Sequence, residues 1–193
     1  MDATIINSSN RPLSDKKRTS LEPPSSQVDT DADATCEGGT WYFGYKGHIG
    51  MDAGSKLIRQ ISFTPASTHD SQLLADLVSE DERSLFGDKA YSNDSVKHQA
   101  RQSGWQVGIL DNPKKSHSLS VSQKKRNKRH RRMHRQVRAR LLFDQGSLWH
   151  APGSIQDRTT QPGQFMMKSI CWNIERSMQF AKKERKIKPA RAC

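Results

Sequence analysis

Hydrophobic and polar positions divide the chain into short strand-like runs interrupted by one long polar segment. Runs rich in β-branched and aromatic residues predict five strands, at 4–7, 40–51, 57–64, 85–87 and 105–110. Polar stretches with spaced apolar residues predict helices at 71–79, capped by Thr68 or Asp70, and at 93–103. The order of three strands, helix, strand, helix and strand indicates an α/β or α+β domain.

Residues 8–40 differ in composition from everything around them. They carry Ser, Pro, Asp and Gly with almost no apolar side chains. Such a segment cannot bury enough surface to offset the entropy of ordering. We therefore predict a disordered insertion at 8–40, between a first strand within residues 1–7 and the rest of the domain at 41–142.

The C-terminal part is strongly basic. Ten Lys and Arg residues fall between positions 124 and 140, and no Pro or Gly interrupts them, so a basic helix is predicted over 120–142. Residues 143–164 lose helical periodicity and are predicted to be irregular. A C-terminal helix at 165–182 and a basic tail at 183–193 complete the predicted organisation.

The charge of the chain favours a nucleic-acid partner. The net charge is +12 and the isoelectric point is about 9.9, which is typical of proteins that bind polyanions. A solvated charged face is the alternative, but like charges this dense destabilise a helix unless an anion compensates them. The predicted DNA contacts are Lys124, Lys125, Arg126, Lys128, Arg129, Arg131, Arg132, Arg135 and Arg138.

Cysteines and histidines indicate no zinc site or disulfide framework. The three cysteines are widely and irregularly spaced, without a CxxC pair. Only His130 and His134 have helical i, i+4 spacing, and their basic surroundings favour a phosphate-facing surface. Lys46 and His48 alternate along the second predicted strand, where they would face DNA or solvent. No apolar window of transmembrane length and no signal peptide pattern is present, so we expect a cytoplasmic protein without a membrane partner.

Two aspartates stand at the edges of predicted strands. Gly87 ends one strand and is followed by Asp88, which is how a metal-binding carboxylate is commonly displayed. Asp2 opens a β-branched run at the start of the chain.

Five motifs in order resemble the DDE transposases of bacterial insertion sequence family five, within the larger IS4-like class. They are 2–6, 41–52, 64–71, 87–91 and 137–140, with a weaker match at 165–180. The resemblance implies a ribonuclease H-like fold, an α/β domain with a mixed five-stranded sheet flanked by helices. Such enzymes carry a helical region before the first aspartate, so we expect an N-terminally truncated, C-terminal catalytic fragment.

The resemblance also implies a site and partners. Asp2 and Asp88 would be catalytic and would bind Mg²⁺ or Mn²⁺, and the partner would be DNA at insertion-sequence ends, with a homo-oligomer and a nucleoid-associated location in a bacterial cytoplasm. The third carboxylate of the family is absent, because Leu142 stands at its position. Asp144 is the nearest acid, but two residues turn a helix by about 200°, away from the site.

Three functions follow from these expectations. The first is a transposase with the catalytic fold but an incomplete triad, and therefore inactive in strand cleavage. The second is a non-catalytic nucleic-acid binding protein or repressor of the intact element. The third is a two-metal nuclease of the same fold that works without the missing glutamate.

Overall fold

The structure, a computed structural model, describes residues 1–8, 12, 28–79, 81–92, 94–113, 117–132 and 161–187. Four antiparallel strands form a sheet, namely β1 (Asp2–Asn7), β2 (Asp33–Glu37), β3 (Thr40–Met51) and β4 (Ile58–Pro65). β3 is the longest and pairs with each of the other three, in a register that sets Asp2 opposite Ile49 and Phe63 opposite Gly47. Its aromatic and β-branched residues suit this role, because they pack well on a pleated surface.

Two further strands, β5 (Ser84–Gly87) and β6 (Gln106–Ile109), pair in parallel. The Met1 amino group donates a 2.8 Å hydrogen bond to the Phe86 carbonyl, which brings the start of β1 beside β5. All five predicted strands are therefore present within a mixed α/β fold. These strands do not form one five-stranded sheet. Their hydrogen bonds make a four-stranded sheet, which includes β2, and a separate two-stranded sheet. The reason is that β5 is only four residues long and meets the β1 segment at Met1, before β1 begins, so within the described residues the two strands share no ladder of hydrogen bonds.

β2 lies inside the segment 8–40, so the prediction of disorder is corrected for residues 28–40. β2 joins β3 through a two-residue glycine turn with positive φ angles of 59° and 85°. Asp29 is 1% exposed and accepts hydrogen bonds from the hydroxyls of Tyr45 and Ser8, at 2.7 and 2.6 Å. Residues 28–40 are therefore ordered by the pairing of β2 with β3 and by the hydrogen bonds of the buried Asp29 carboxylate, although they contain few apolar side chains. Residues 9–11 and 13–27 lie outside the described residues.

Short helical turns connect the later strands. Turns of 3-10 type span Asp70–Leu73 and Lys89–Tyr91, and helix α1 spans Asp94–Gln102. The predicted helix at 71–79 is corrected to the first of these turns. Its N-cap is His69, whose Nδ1 accepts the Ser71 N–H at 3.2 Å, and not Thr68 or Asp70. The apolar pattern identifies the buried positions Leu73, Leu74 and Leu77 but not the type of turn.

Helix α2 is described over residues 121–132. It begins at a capping box, in which the Ser120 hydroxyl accepts the Gln123 N–H at 3.2 Å and the Gln123 side-chain oxygen accepts the Ser120 N–H at 2.8 Å. The rest of the predicted basic helix, at 133–142, lies outside the described residues.

Helix α3 spans Gln161–Ile187 and is longer than predicted at both ends. It begins four residues before position 165, so the irregular segment 143–164 is corrected at 161–164, where Pro162 is tolerated because proline fits the first turn of a helix. It also continues past 182 into the predicted tail. Residues 143–160 and 188–193 lie outside the described residues. None of the helices in the described ranges is long and apolar enough to cross a membrane.

The strands separate two layers of side chains. On one face, Met1 and Leu85 join an apolar cluster whose other members come from the 3-10 turns, α1 and β6: Leu73, Leu74, Leu77, Tyr91, Ala100 and Ile109. On the other face, Phe165 of α3 lies 6.0 Å from Phe63 between ring centroids, directly over Gly47. A Cβ at Gly47 would come within 2.5 Å of the Phe165 ring, so this position requires glycine for the helix to dock.

Side chains of α3 also bind the edge of β4. Asn173 accepts the Ile58 N–H and donates to the Ile58 carbonyl, both at 2.8 Å. The indole of Trp172 donates to the Lys56 carbonyl at 2.9 Å, and Arg176 donates to the Ser55 carbonyl at 2.8 Å. These bonds satisfy backbone groups in the β3–β4 turn, which fixes α3 along the sheet.

Candidate metal and DNA site

Asp2 is the first residue of β1 and is half-buried. Its Oδ1 accepts the N–H of Ala3 at 3.0 Å. The neighbouring amino group of Met1 is buried against the Phe86 carbonyl, and this burial lowers its pKa to about 6. Asp2 is therefore held at the point where β1 and β5 meet.

Asp88 follows β5 and starts the second 3-10 turn. Its Oδ1 accepts the N–H of Lys89 at 2.6 Å, so the side chain serves as an N-cap. Gly87 before it leaves room for the Met1 side chain, which lies 3.3 Å from where a Cβ would stand. Gly87 thus lets the residue that precedes β1 pack closely against the end of β5.

Asp2 and Asp88 lie on the same face of the strands. Met1 and Leu85 belong to the core cluster, and alternation along a strand sends Asp2 and Phe86 to the opposite face. Asp88 continues this alternation, because its backbone is still extended, with φ −71° and ψ 171°. Asp2 thus lies at the start of β1 and Asp88 just after the end of β5, and the bond from Met1 to the Phe86 carbonyl joins these two strands.

Tyr91 lies near these carboxylates from the core side. Its side chain is 1% exposed, and its hydroxyl has no hydrogen-bond partner among the described residues. Burial first, and then the negative charges of Asp70, Asp2 and Asp88, raise the pKa of Tyr91 far above its ordinary value. The phenol stays protonated, and three carboxylates lie close enough to influence it.

Lys46 and His48 face the protein interior, so the prediction that they face DNA or solvent is wrong. Lys46 forms a 3.2 Å salt bridge with Asp70, and each side chain is 16% exposed. His48 is fully buried, with Nε2 3.1 Å from the Thr64 hydroxyl, and burial lowers its pKa to about 4. The chain after β4 folds back over this face, as the bond from Lys46 to the Thr68 carbonyl shows.

The donor chemistry of the two aspartates suits Mg²⁺ or Mn²⁺, but the number of donors is small. Carboxylate oxygens are the hard ligands that such ions prefer. In the described ranges, no three His, Cys, Asp or Glu side chains converge to hold a metal ion. Mg²⁺ is commonly held by one or two carboxylates, with water and substrate phosphates completing its shell. The pair therefore fits a weak site. Leu142 and Asp144 lie outside the described residues.

Helix α2 presents most of its cations to solvent. The exposed basic side chains are Lys124, Lys125, Lys128, Arg129, Arg131 and Arg132. Arg126 is exposed as well, with 46% of its side chain accessible, but it donates to the carboxylate of Asp111, at 2.6 and 3.0 Å. Six of the predicted DNA contacts are thus placed outward and one is engaged within the protein. Arg135 and Arg138 lie outside the described residues.

His130 is half-buried, so the prediction that it belongs to a phosphate-facing surface is wrong. Its ring lies 6.0 Å from the ring of Phe86, and burial lowers its pKa. Because Phe86 faces the same side of the strands as Asp2 and Asp88, this contact places α2 on the face that carries both aspartates. His134 lies outside the described residues.

Sequence reasoning missed Asp111 and Asn127, which hold α2 in place. The Asp111 N–H donates to the Asn127 side-chain oxygen at 2.8 Å, and the Asn127 amide donates to the Asp111 carbonyl at 3.0 Å. An uncharged residue inside a cationic run was the available signal, because it marks the side of the helix that does not face water.

Carboxylates at strand ends and an exposed cationic helix, within one α/β fold, are typical of proteins that act on nucleic acid. The chain matches the family model of the transposase DDE domain over residues 1–188. The protein therefore belongs to the DDE transposase family, whose function is DNA transposition. No solved structure matches the chain.

Proposed function

We propose that this protein is a DNA-binding transposase of bacterial insertion sequence family five that binds duplex DNA but has lost strand cleavage. The observation that carries the proposal is the match to the transposase DDE domain over residues 1–188. It is supported by the exposed cations of α2 and by the carboxylates of Asp2 and Asp88 at two strands that the bond from Met1 to Phe86 joins.

In this proposal each group has a separate role. The cations of α2 bind DNA phosphates and release counterions. Asp2 and Asp88 hold Mg²⁺ or Mn²⁺, which supplies polarisation of the phosphate and of the attacking and leaving oxygens. Tyr91 stays protonated beside the carboxylates because burial and their charge raise its pKa.

Loss of cleavage follows from the residue at position 142. The family pattern places a glutamate there, and this chain has Leu142. With two carboxylates, one cation of a two-metal site is poorly held, so in-line displacement at phosphorus is not supported. We expect no nicking of supercoiled plasmid at millimolar Mg²⁺ or Mn²⁺. Metal-dependent nicking would instead favour the third function named above, a two-metal nuclease that works without the glutamate.

Calorimetric titration of Mn²⁺ tests the metal site. We expect weak binding to the unaltered protein, loss of binding in Asp88→Asn and tighter binding in Leu142→Glu. Asp76→Asn is the matched control, because Asp76 is an exposed aspartate outside β1 and β5. Equal affinity for Mn²⁺ in all four proteins would refute the assignment of Asp88 as a metal ligand and of position 142 as the place of the missing carboxylate.

Filter binding to duplex DNA tests the cationic helix. If the six exposed cations each neutralise one phosphate, the affinity falls about a thousandfold between roughly 50 and 200 mM salt. Replacing Arg129, Arg131 and Arg132 by alanine should weaken binding and flatten this salt dependence. A salt-independent affinity would show that α2 is not the DNA surface.

A repressor of the intact element is the second candidate, and the exposed cations of α2 favour it because binding alone needs no third carboxylate. A repressor prefers the terminal inverted repeats of the element over random duplex, whereas a catalytic relic binds both alike. Competition between the two duplexes separates these functions. Association with the bacterial nucleoid and a homo-oligomer on DNA belong to the same proposal, and sedimentation of the protein with and without duplex measures the oligomer.

A further inference from the structure

Asp111 lies just after β6 and collects side chains from two helices. Lys97 of α1 is 6% exposed, and its Nζ lies 3.1 Å from Asp111 Oδ1. Arg126 of α2 donates from Nε and Nη2 to Asp111 Oδ2, at 3.0 and 2.6 Å. Because a buried ammonium needs a counter-charge, Asp111 is already committed to Lys97, and Arg126 completes the cluster.

The side-chain amide of Asn127 also binds Asp111, through its backbone. Its side chain is 4% exposed, and it pairs with both the N–H and the carbonyl of Asp111. This two-way pairing satisfies backbone groups beyond the end of β6, as a neighbouring strand would. Asn127 is therefore a fixed attachment between the helix and the strand end.

The next turn of α2 has a second attachment. His130 lies against Phe86, and a Cβ at Gly108 would come within 3.0 Å of His130 Nδ1. The absence of a side chain at Gly108 lets the helix approach β6 closely. With Asn127 and His130 both directed at the strands, the rotation of α2 about its axis is set, and with it the direction of the exposed cations.

We propose that Asp111 and Asn127 are positioning residues that aim α2 at DNA, and that Arg126 serves this attachment and does not contact phosphate. The proposal rests on the proposed DNA interface. It separates Arg126 from the neighbouring cations of α2, although the sequence offers no difference between them.

The salt dependence of duplex binding by the full chain distinguishes these roles. Removing a cation that contacts phosphate reduces the slope of log affinity against log salt by about 0.9. We expect this reduction in Arg129→Gln, whose side chain is exposed. In Arg126→Gln we expect an unchanged slope together with a lower thermal midpoint, because the Asp111 cluster loses a donor.

Asn127→Ala tests positioning directly. We expect at least a tenfold loss of DNA affinity and a smaller slope at a temperature where circular dichroism shows the variant folded, since fewer cations reach phosphate together. Asn112→Ala is the matched control, because Asn112 is exposed and adjacent to Asp111, and it should change neither quantity.

Three results would overturn the proposal. An equal fall of the slope in Arg126→Gln and Arg129→Gln would make Arg126 a phosphate contact while leaving the DNA interface intact. A folded Asn127→Ala variant with unaltered DNA affinity would show that the attachment is structural only. A slope near zero for the unaltered protein would remove the DNA interface itself, and this proposal with it.

Discussion

Removing the Phe165 ring should strongly destabilise the protein. The side chain is 4% exposed and lies 6.0 Å from Phe63 between ring centroids. Truncating a buried phenylalanine to alanine costs about 3–5 kcal/mol, against a total stability of about 5–15 kcal/mol for a typical domain. For a chain of this size, Phe165→Ala should lower the thermal midpoint by roughly 6–20 °C.

The glycine beneath the ring makes this prediction more specific. A Cβ at Gly47 would lie 2.5 Å from the Phe165 ring, so Gly47→Ala overpacks the contact and should cost about 1–3 kcal/mol. In the double variant the new methyl enters space that the ring has left. The two costs should therefore fall short of additivity by about 1 kcal/mol or more.

Urea unfolding of the four proteins of this cycle gives the coupling. Gly163→Ala is the glycine control, because nothing lies within 4 Å of its Cβ position, and an alanine in a helix should be neutral or stabilising by up to about 1 kcal/mol. Costs that add to within about 0.5 kcal/mol would refute the contact between α3 and the sheet at Gly47.

Three further changes probe buried polar groups. Tyr91→Phe should leave stability unchanged or raise it by up to about 1 kcal/mol, because the hydroxyl is buried without a partner among the described residues; a clear loss in urea unfolding would reveal a partner. Burial lowers the pKa of His48 to about 4 from an ordinary 6.5, so the unfolded chain binds that proton first and stability falls as pH drops from about 6.5 towards 4; His48→Gln should remove this part of the pH profile, and an identical profile would contradict the assignment. Burial opposes ionisation of Asp29, but hydrogen bonds from Ser8 and Tyr45 outweigh it and lower its pKa, so its contribution is present above about pH 4 and is lost below that. Asp29→Asn should be less stable at neutral pH and less sensitive to acid, which thermal melts at several pH values would measure.

The strands were predictable because their signals are local. Each of the five expected strands is an apolar or aromatic run, and such runs mark buried pleated surface whatever they pair with. Asp2 and Asp88 could be proposed from their positions at strand edges together with the family motifs. Their shared face follows from the two-residue alternation once Met1 and Leu85 are known to be buried.

The remaining features depend on partners distant in sequence. β2 has little apolar content and is ordered by pairing with β3. The sequence alone predicts that His48 and Lys46 lie at the surface. In the structure, the chain at Thr68 and Asp70 covers this face of the sheet. Arg126 resembles its neighbours in every local respect, and only the position of Asp111 distinguishes it. Charge density predicts that this helix binds DNA, but it does not show which cation is bound within the protein.

The bond between Ser8 and Asp29 has a consequence for evolution and engineering. At 2.6 Å, it holds residues 8 and 29 close together. When the two ends of an excursion are already fixed together, its length is only weakly penalised, by about 0.6 kcal/mol for each doubling. The junction therefore accepts sequence of very different lengths without altering the strands on either side. A tag or a whole foreign domain placed between these two residues should leave the fold intact.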